Sequence, residues 1–217
     1  KRPENQRGSM GGVRNPGEDS WYVDGMFGFT QNNYDSRREI WLPADKRIAK
    51  ADHHGQQYST KFETGYTFVS EKLGNLETTP FAGLGYNYLY MNKYKEKGAD
   101  ALNLTVDGEG FHELLQSLGM KFAYPFILKK AGTFIPSAKV AWLYDYIGDQ
   151  FETTAKFAGG GPSFDTEGAK PARNGMLLGG EIAFLNKGNM TLTANYDLEM
   201  KDQFRGHTYY GTARFDF

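Results

Sequence analysis

Along most of the chain, apolar and polar residues alternate one for one, the period of a strand with one apolar and one wetted face. The clearest case is 58–68, where Tyr58, Phe62, Tyr66 and Phe68 share one parity and Ser59, Lys61, Glu63, Gly65 and Thr67 the other. The same pattern predicts strands over 21–30, 78–91, 111–124, 133–147, 175–185, 190–200 and 209–217, about eight in all. In 111–124 the Leu114-Leu115 pair is also compatible with a helix. Residues 1–20, rich in Gly, Pro, Arg and Asn and poor in apolar side chains, read as a flexible leader. Residues 21–217 read as one domain.

The connections alternate in length. Long ones follow the strands that begin at Trp21, Thr78 and Thr133: a charged loop over 35–55, a second over 92–110 in which 101–106 predicts a strand extension, and a third over 148–174. Short turns follow the strands that begin at Tyr58, Phe111 and Gly175. Short turns on one rim and long loops on the other are the habit of an outer-membrane barrel, with the short ones periplasmic. Lys and Glu opposite aromatics also require that the polar face meet water. The predicted fold class is therefore all-β: an antiparallel transmembrane outer-membrane β-barrel with long loops extracellular and the C-terminus on the periplasmic side. Tyr66, Phe68, Tyr86, Tyr88, Trp142, Tyr196 and Phe215 are expected to face outer-membrane lipid.

The last strand ends on Phe217, with apolar or small residues alternating back from it. This resembles the C-terminal signature of bacterial outer-membrane barrels, which implies recognition by the barrel-assembly machinery through Tyr209, Phe215 and Phe217. Composition agrees with a barrel: aromatic residues make up 15% of the chain, with 27 glycines, and no apolar run approaches the ~18 residues of a spanning helix. The absence of cysteine removes disulfide and thiolate chemistry, and a net charge of -1 gives no field for nucleic acid, so no nucleic-acid partner is expected.

The polar parity gathers Asp24, Lys61, Glu63, Asn87, Lys121, Lys139, Asp145, Glu181, Asn195, Asp197, Glu199 and Arg214 as lumen-lining candidates. They either line a hydrated pore or form a salt-bridged filling; a closed eight-stranded barrel favours the filling and a twelve-stranded one the pore. Asp52, His53 and His54 form a weak metal motif in a charged loop, more readily a solvated surface. His112 and His207 fall near the long-loop rim, where a Ser/His/Asp arrangement would make a lipid-modifying enzyme, but no Gly-x-Ser-x-Gly accompanies them. The Gly159-Gly160-Gly161 run lacks the Lys-Ser/Thr of a phosphate loop. No catalytic, cofactor or metal residue is assigned.

Several segments, in order, are similar to the translocator domain of autotransporters, the type V secretion family. They are 21–25 (Trp-Tyr-Val-Asp-Gly), 80–86 (Pro-Phe-Ala-Gly-Leu-Gly-Tyr), Leu114 with 117–121 (Ser-Leu-Gly-Met-Lys), 157–160 (Phe-Ala-Gly-Gly) with Ala172-Arg173, and the closing strand. The resemblance implies a barrel that anchors and translocates an N-terminal passenger in cis, without chemistry or cofactor. Family members have about twelve strands behind a pore-plugging helix, so this chain matches the last eight. It is then either part of a longer barrel or a smaller one that closes on itself, its strands 23–29 and 209–215 paired. The competing reading is a small barrel acting as an adhesin through its extracellular loops.

Overall fold

In the computed structural model, the described residues are 6–10, 19–43, 45–128, 131–186 and 190–215. Eight long strands dominate: β1 (Ser20–Leu42), β2 (Asp45–Ser70), β3 (Leu76–Met91), β4 (Glu109–Ala123), β5 (Gly132–Asp145), β6 (Asn174–Asn186), β7 (Met190–Lys201) and β8 (Phe204–Phe215). Each pairs antiparallel with the next in chain order, giving one meander. All eight predicted strands are present, including 111–124, where β4 settles the helix-or-strand ambiguity. No described helix is long and apolar enough to cross a membrane.

Residues paired across antiparallel strands share a face, so the register sorts every side chain. The pairs Trp21 with Tyr66, Phe62 with Leu84, Leu118 with Trp142, Leu178 with Leu198 and Tyr196 with Tyr209 all lie on the outer face. Its large apolar residues stand open, Trp21 at 73%, Phe62 at 62% and Ile182 at 51% exposed. Among the described outward positions of the belt, only Arg205 is an Asp, Glu, Lys or Arg. All seven residues expected to face lipid lie on this face.

Aromatic rings gather at its two borders. Trp21 meets Tyr66 and Tyr66 meets Phe68 at the short-turn rim; Phe29 with Tyr58, Tyr88 with His112, and Trp142 with Tyr144 mark the other. Such paired girdles are what a membrane's two interfaces select. The short turn between β2 and β3 closes through Gly74 and Asn75, both at positive φ (71° and 66°), which these two residue types tolerate best.

Two sequence expectations need correction. The loop expected over 35–55 is strand: β1 and β2 continue as a hairpin to Leu42 and Asp45, with Trp41 opposite Lys46. Its outward face changes character at Phe29 and Tyr58, beyond which Gln31, Asn33 and Asp35 face His54 and Asp52, so a spanning segment becomes a water-borne arm. Hydrophobic alternation stops there although the backbone pattern does not. Second, the leader contributes a strand: Gln6–Met10 pairs with Gly25 to Phe29 along the outer edge of β1; the rest of 1–18 lies outside the described residues. Of the two alternatives left open for the edges, closure by pairing 23–29 with 209–215 is not seen: the sheet curls as a half-barrel, and no described strand lies along the far edge of β8. The other long connections hold a four-stranded sheet of Tyr94–Lys95, Leu104–Val106, Glu152–Phe157 and Phe164–Glu167. Of the extension expected at 101–106, Leu104–Val106 is strand and Asp100–Leu102 a 3-10 turn.

Candidate functional site: the polar inner face

The inner parity encloses a cavity of about 420 Å³. Of the twelve lumen candidates, all but Asp145 and Arg214 line it. Asp145 is instead 2% exposed at the end of β5, where its carboxylate accepts from the backbone N–H groups of Leu114 (3.3 Å) and Ile147 (3.1 Å). Arg214, on exposed β8, lies outside the lining.

The inner charges are paired, and the pairs leap strands. Lys121 of β4 reaches Glu181 of β6 (3.2 Å) across β5; Lys139 of β5 reaches Asp197 of β7 (2.9 Å) across β6. Lys201 of β7 contacts Glu113 of β4 (3.5 Å) and Glu199 on its own strand (2.9 Å). Lys61 pairs with Glu63 (2.9 Å), which also accepts from the Tyr22 hydroxyl (3.0 Å). Asn87 donates to Glu113 (2.7 Å). Glycine makes the leaps possible. Gly179 sits between Lys139 and Asp197 in register, and a Cβ there would lie 2.3 Å from Lys139 Cε and 2.5 Å from Asp197 Oδ1. Near the short-turn rim the inner face tightens, with Thr67 fully buried and bonded to Thr79 (2.8 Å).

Glu113, Lys201, Tyr22 and Ser117 were absent from the predicted set. Glu113 lies inside the strand predicted over 111–124, and Lys201 falls one residue past the strand predicted over 190–200; their parity, shared with Lys121 and Glu199, was the available signal. Asp24 lines the cavity without an ion pair to a described residue.

The other motifs do not converge. His53 turns inward and stacks between Tyr34 (centroids 5.1 Å) and Tyr94 (4.1 Å), while Asp52 and His54 stand exposed on the opposite face. Burial, with His54 adding to it and Asp52 opposing, holds the His53 pKa below its ordinary value. No three metal-ligating side chains gather among the described residues. His112 and His207 face outward on separate strands, each bonded through Nδ1 to a tyrosine hydroxyl, Tyr86 (2.7 Å) and Tyr196 (2.9 Å), rather than to a serine. Of the assembly residues, Tyr209 and Phe215 lie on the outward face, 74% and 59% exposed; Phe217 is outside the described residues.

Known proteins share the fold. The translocator domain of autotransporter NalP from Neisseria meningitidis superposes with a TM-score of 0.68 over 99% of this chain and 67% of its own, at 16% identity, a likeness of fold alone. Outer membrane protein A of Rickettsia rickettsii is 28% identical over 118 residues, and that of Rickettsia conorii (strain ATCC VR-613 / Malish 7) 27% over 118. Each match covers 52% of this chain and only 5% or 6% of the relative, so the chain corresponds to a small part of those proteins. The model of the autotransporter beta-domain matches residues 6–197, nearly the whole of the two-faced sheet. With that match over most of its length, the chain belongs to the autotransporter β-domain family.

Proposed function

We propose that this chain anchors an autotransporter in the bacterial outer membrane and carries its N-terminal passenger to the cell surface. The carrying observation is the division of one sheet into an outer face almost free of charge and an inner face whose charges line a cavity. Strands of this kind present lipid on one side and water on the other. In this reading the short-turn rim and the C-terminus are periplasmic, the long-loop rim extracellular, and Tyr209, Phe215 and Phe217 address the barrel-assembly machinery. The inner residues from Asp24 to Glu199 form the wall along which the passenger moves, their ion pairs leaving few unpaired charges to arrest an extended peptide.

Trapping the passenger in transit tests this. The chain has no cysteine, so Asn87→Cys or Asn195→Cys on the inner face provides a single thiol. In the full-length protein, either is expected to cross-link to a cysteine placed in a stalled passenger, whereas Leu178→Cys on the outer face is not. A passenger that reaches the surface at an undiminished level when 20–217 are deleted overturns the proposal.

A further inference from the structure

Where the β1–β2 arm stands clear of the apolar belt, one face of it and of the adjoining small sheet collects cations. Arg37 and Lys50 are opposite one another in register, and Lys50 exchanges both backbone hydrogen bonds with Lys97 (2.9 and 2.8 Å). One step along, Lys95 pairs with Thr105, and Thr105 with Lys156. With neighbouring strands about 4.8 Å apart, these five basic residues form a row across the sheet. All five are exposed. Glu39 holds Arg37 at 2.9 Å, but Lys50, Lys95, Lys97 and Lys156 have no carboxylate within ion-pair distance among the described residues.

The acidic groups of this face flank the row: Glu39, on the far side from the belt, is shared by Arg37 and Lys46, while nearer the belt Asp35 stands opposite Asp52, Lys93 holds Asp107, Thr154 donates to Asp165 and Glu152 stands opposite Glu167. Like charges directly opposite destabilise a sheet. The reverse side of the same arm neutralises its cations, Arg38 by Glu96 (3.0 Å) and Arg47 by Asp45 (3.2 Å) and Asp100 (3.1 Å). The row is thus a local cost that folding does not explain.

We propose that the row binds a linear sulfated polysaccharide outside the cell, a reading that rests on the long-loop rim being extracellular. A chain of regularly spaced anions matches a row of cations on successive strands, whereas a single phosphate would occupy one or two of them. Lipid headgroups are out of reach. Lys50 lies eight residues beyond Tyr58, about 26 Å of strand, or about 18 Å above the aromatic belt for a strand tilted by ~45°. The headgroup layer is only about 5–8 Å deep on each side.

The test uses the full chain in detergent, its fold checked by heat-modifiable gel migration, and immobilised heparin as the probe. The wild type is expected to be retained and to elute with salt, with dextran sulfate competing and unsulfated dextran not competing. The variant Lys50→Gln/Lys95→Gln/Lys97→Gln/Lys156→Gln should bind about tenfold more weakly, the scale on which a local field concentrates an ion. A control that removes as much charge off this face, Arg47→Gln/Lys72→Gln/Lys170→Gln/Arg205→Gln, should stay within about twofold of wild type. No retention of the wild type, or equal losses in the two variants, overturns the proposal. So does a row variant that loses binding to anionic phospholipid vesicles but keeps heparin. Protease access to the arm on intact cells tests sidedness separately: an inaccessible arm with heparin binding intact fails the orientation, and an accessible arm without binding fails the site.

Discussion

Gly179→Ala should destabilise the sheet, although replacing a strand glycine by alanine ordinarily helps. The added Cβ falls 2.3 Å from Lys139 Cε and 2.5 Å from Asp197 Oδ1, on the line along which the lysine crosses β6. Lys139 must leave, and its 2.9 Å ion pair goes with it. The two side chains are 26% and 18% exposed, between a surface pair worth about 0–1 kcal/mol and a buried pair whose rupture costs about 3–5 kcal/mol. A loss of about 1–2 kcal/mol is the reasonable middle for a hydrated cavity wall. Against it stands a backbone gain of about 0.5–1 kcal/mol for Ala over Gly. The net expectation is a loss of about 0.5–1 kcal/mol, and in the Lys139→Ala background the sign should invert because only the backbone gain is left. Gly180→Ala is the internal control: it is the next residue, faces outward, and its Cβ meets nothing within 4 Å. Denaturant unfolding from phospholipid vesicles, extrapolated linearly, resolves differences of this size. If Gly179→Ala is as harmless as Gly180→Ala, or costs the same with and without Lys139, then glycine is not what lets the ion pair cross the strand.

Four further outcomes are expected. Leu178→Arg on the outer face should cost about 2–4 kcal/mol in the same assay while Leu177→Arg, which can extend into the cavity, costs far less; similar costs would mean that the two faces have been assigned wrongly. For Glu96, burial pulls the pKa up, but the Arg38 hydrogen bond, the Leu104 N–H and the Arg38 charge together hold it below the ordinary 4.5. Its contribution to docking of the 92–106 segment is therefore complete above about pH 4.5 and lost as pH falls through the lowered value, so hydrogen exchange there should accelerate in that acid range, and Arg38→Gln should abolish the step. Replacing Phe217 with Asn should slow barrel assembly in cells, read by the rate at which heat-modifiable protein accumulates; an unchanged rate removes the terminal aromatic from the signal. A cysteine pair at Ser9 and Met26, opposite each other in register, should oxidise to a disulfide in the folded chain, whereas one at Met26 and Thr212 should not.

The faces of the sheet were legible because alternation is dictated locally: a residue's parity fixes its side wherever the strand is continuous, and every parity read from 58–68 or 190–200 agrees with the register. The arm over 35–55 was illegible for the complementary reason. Its outward face meets water, so residues such as Gln31, Arg37 and Asp52 carry no hydrophobic period, and its inner face is covered only by small residues such as Ala49 and Ala51, so its strand character comes from pairing with its own return limb. In the small core beneath it, Ala49, Ala99 and Val106 are buried and His53 stacks on Tyr94, a contact between residues 41 apart in the chain. No local pattern announces such a contact. The ion pairs were half legible: the charged residues declared themselves by parity, but Lys139 and Asp197 are partners only because Gly179 lies between them.

The edges of the sheet carry the remaining argument. In hydrocarbon an unpaired backbone N–H or C=O costs several kcal/mol, and in a strand paired on one side only, alternate residues turn both groups toward the empty side. For the twelve residues of β8 that would be a penalty of tens of kcal/mol, far beyond the total stability of an ordinary domain. The far edge of β8 must therefore be covered in a membrane. The first strand of the meander does not serve in this structure, because Gln6–Met10 occupies its outer edge over the stretch from Gly25 to Phe29, in the half of the apolar belt nearer the long-loop rim. The occupant of β1's edge also runs antiparallel to it, as a preceding strand of one longer meander would. The solved barrel that this chain matches is half again as long as the match, which covers 67% of it. An eight-stranded meander whose first edge is taken by its own upstream segment, and whose last edge has no partner among the described residues, is what part of a wider barrel would present. A wider barrel is also the setting in which a lining of mutually paired charges is wetted rather than packed shut.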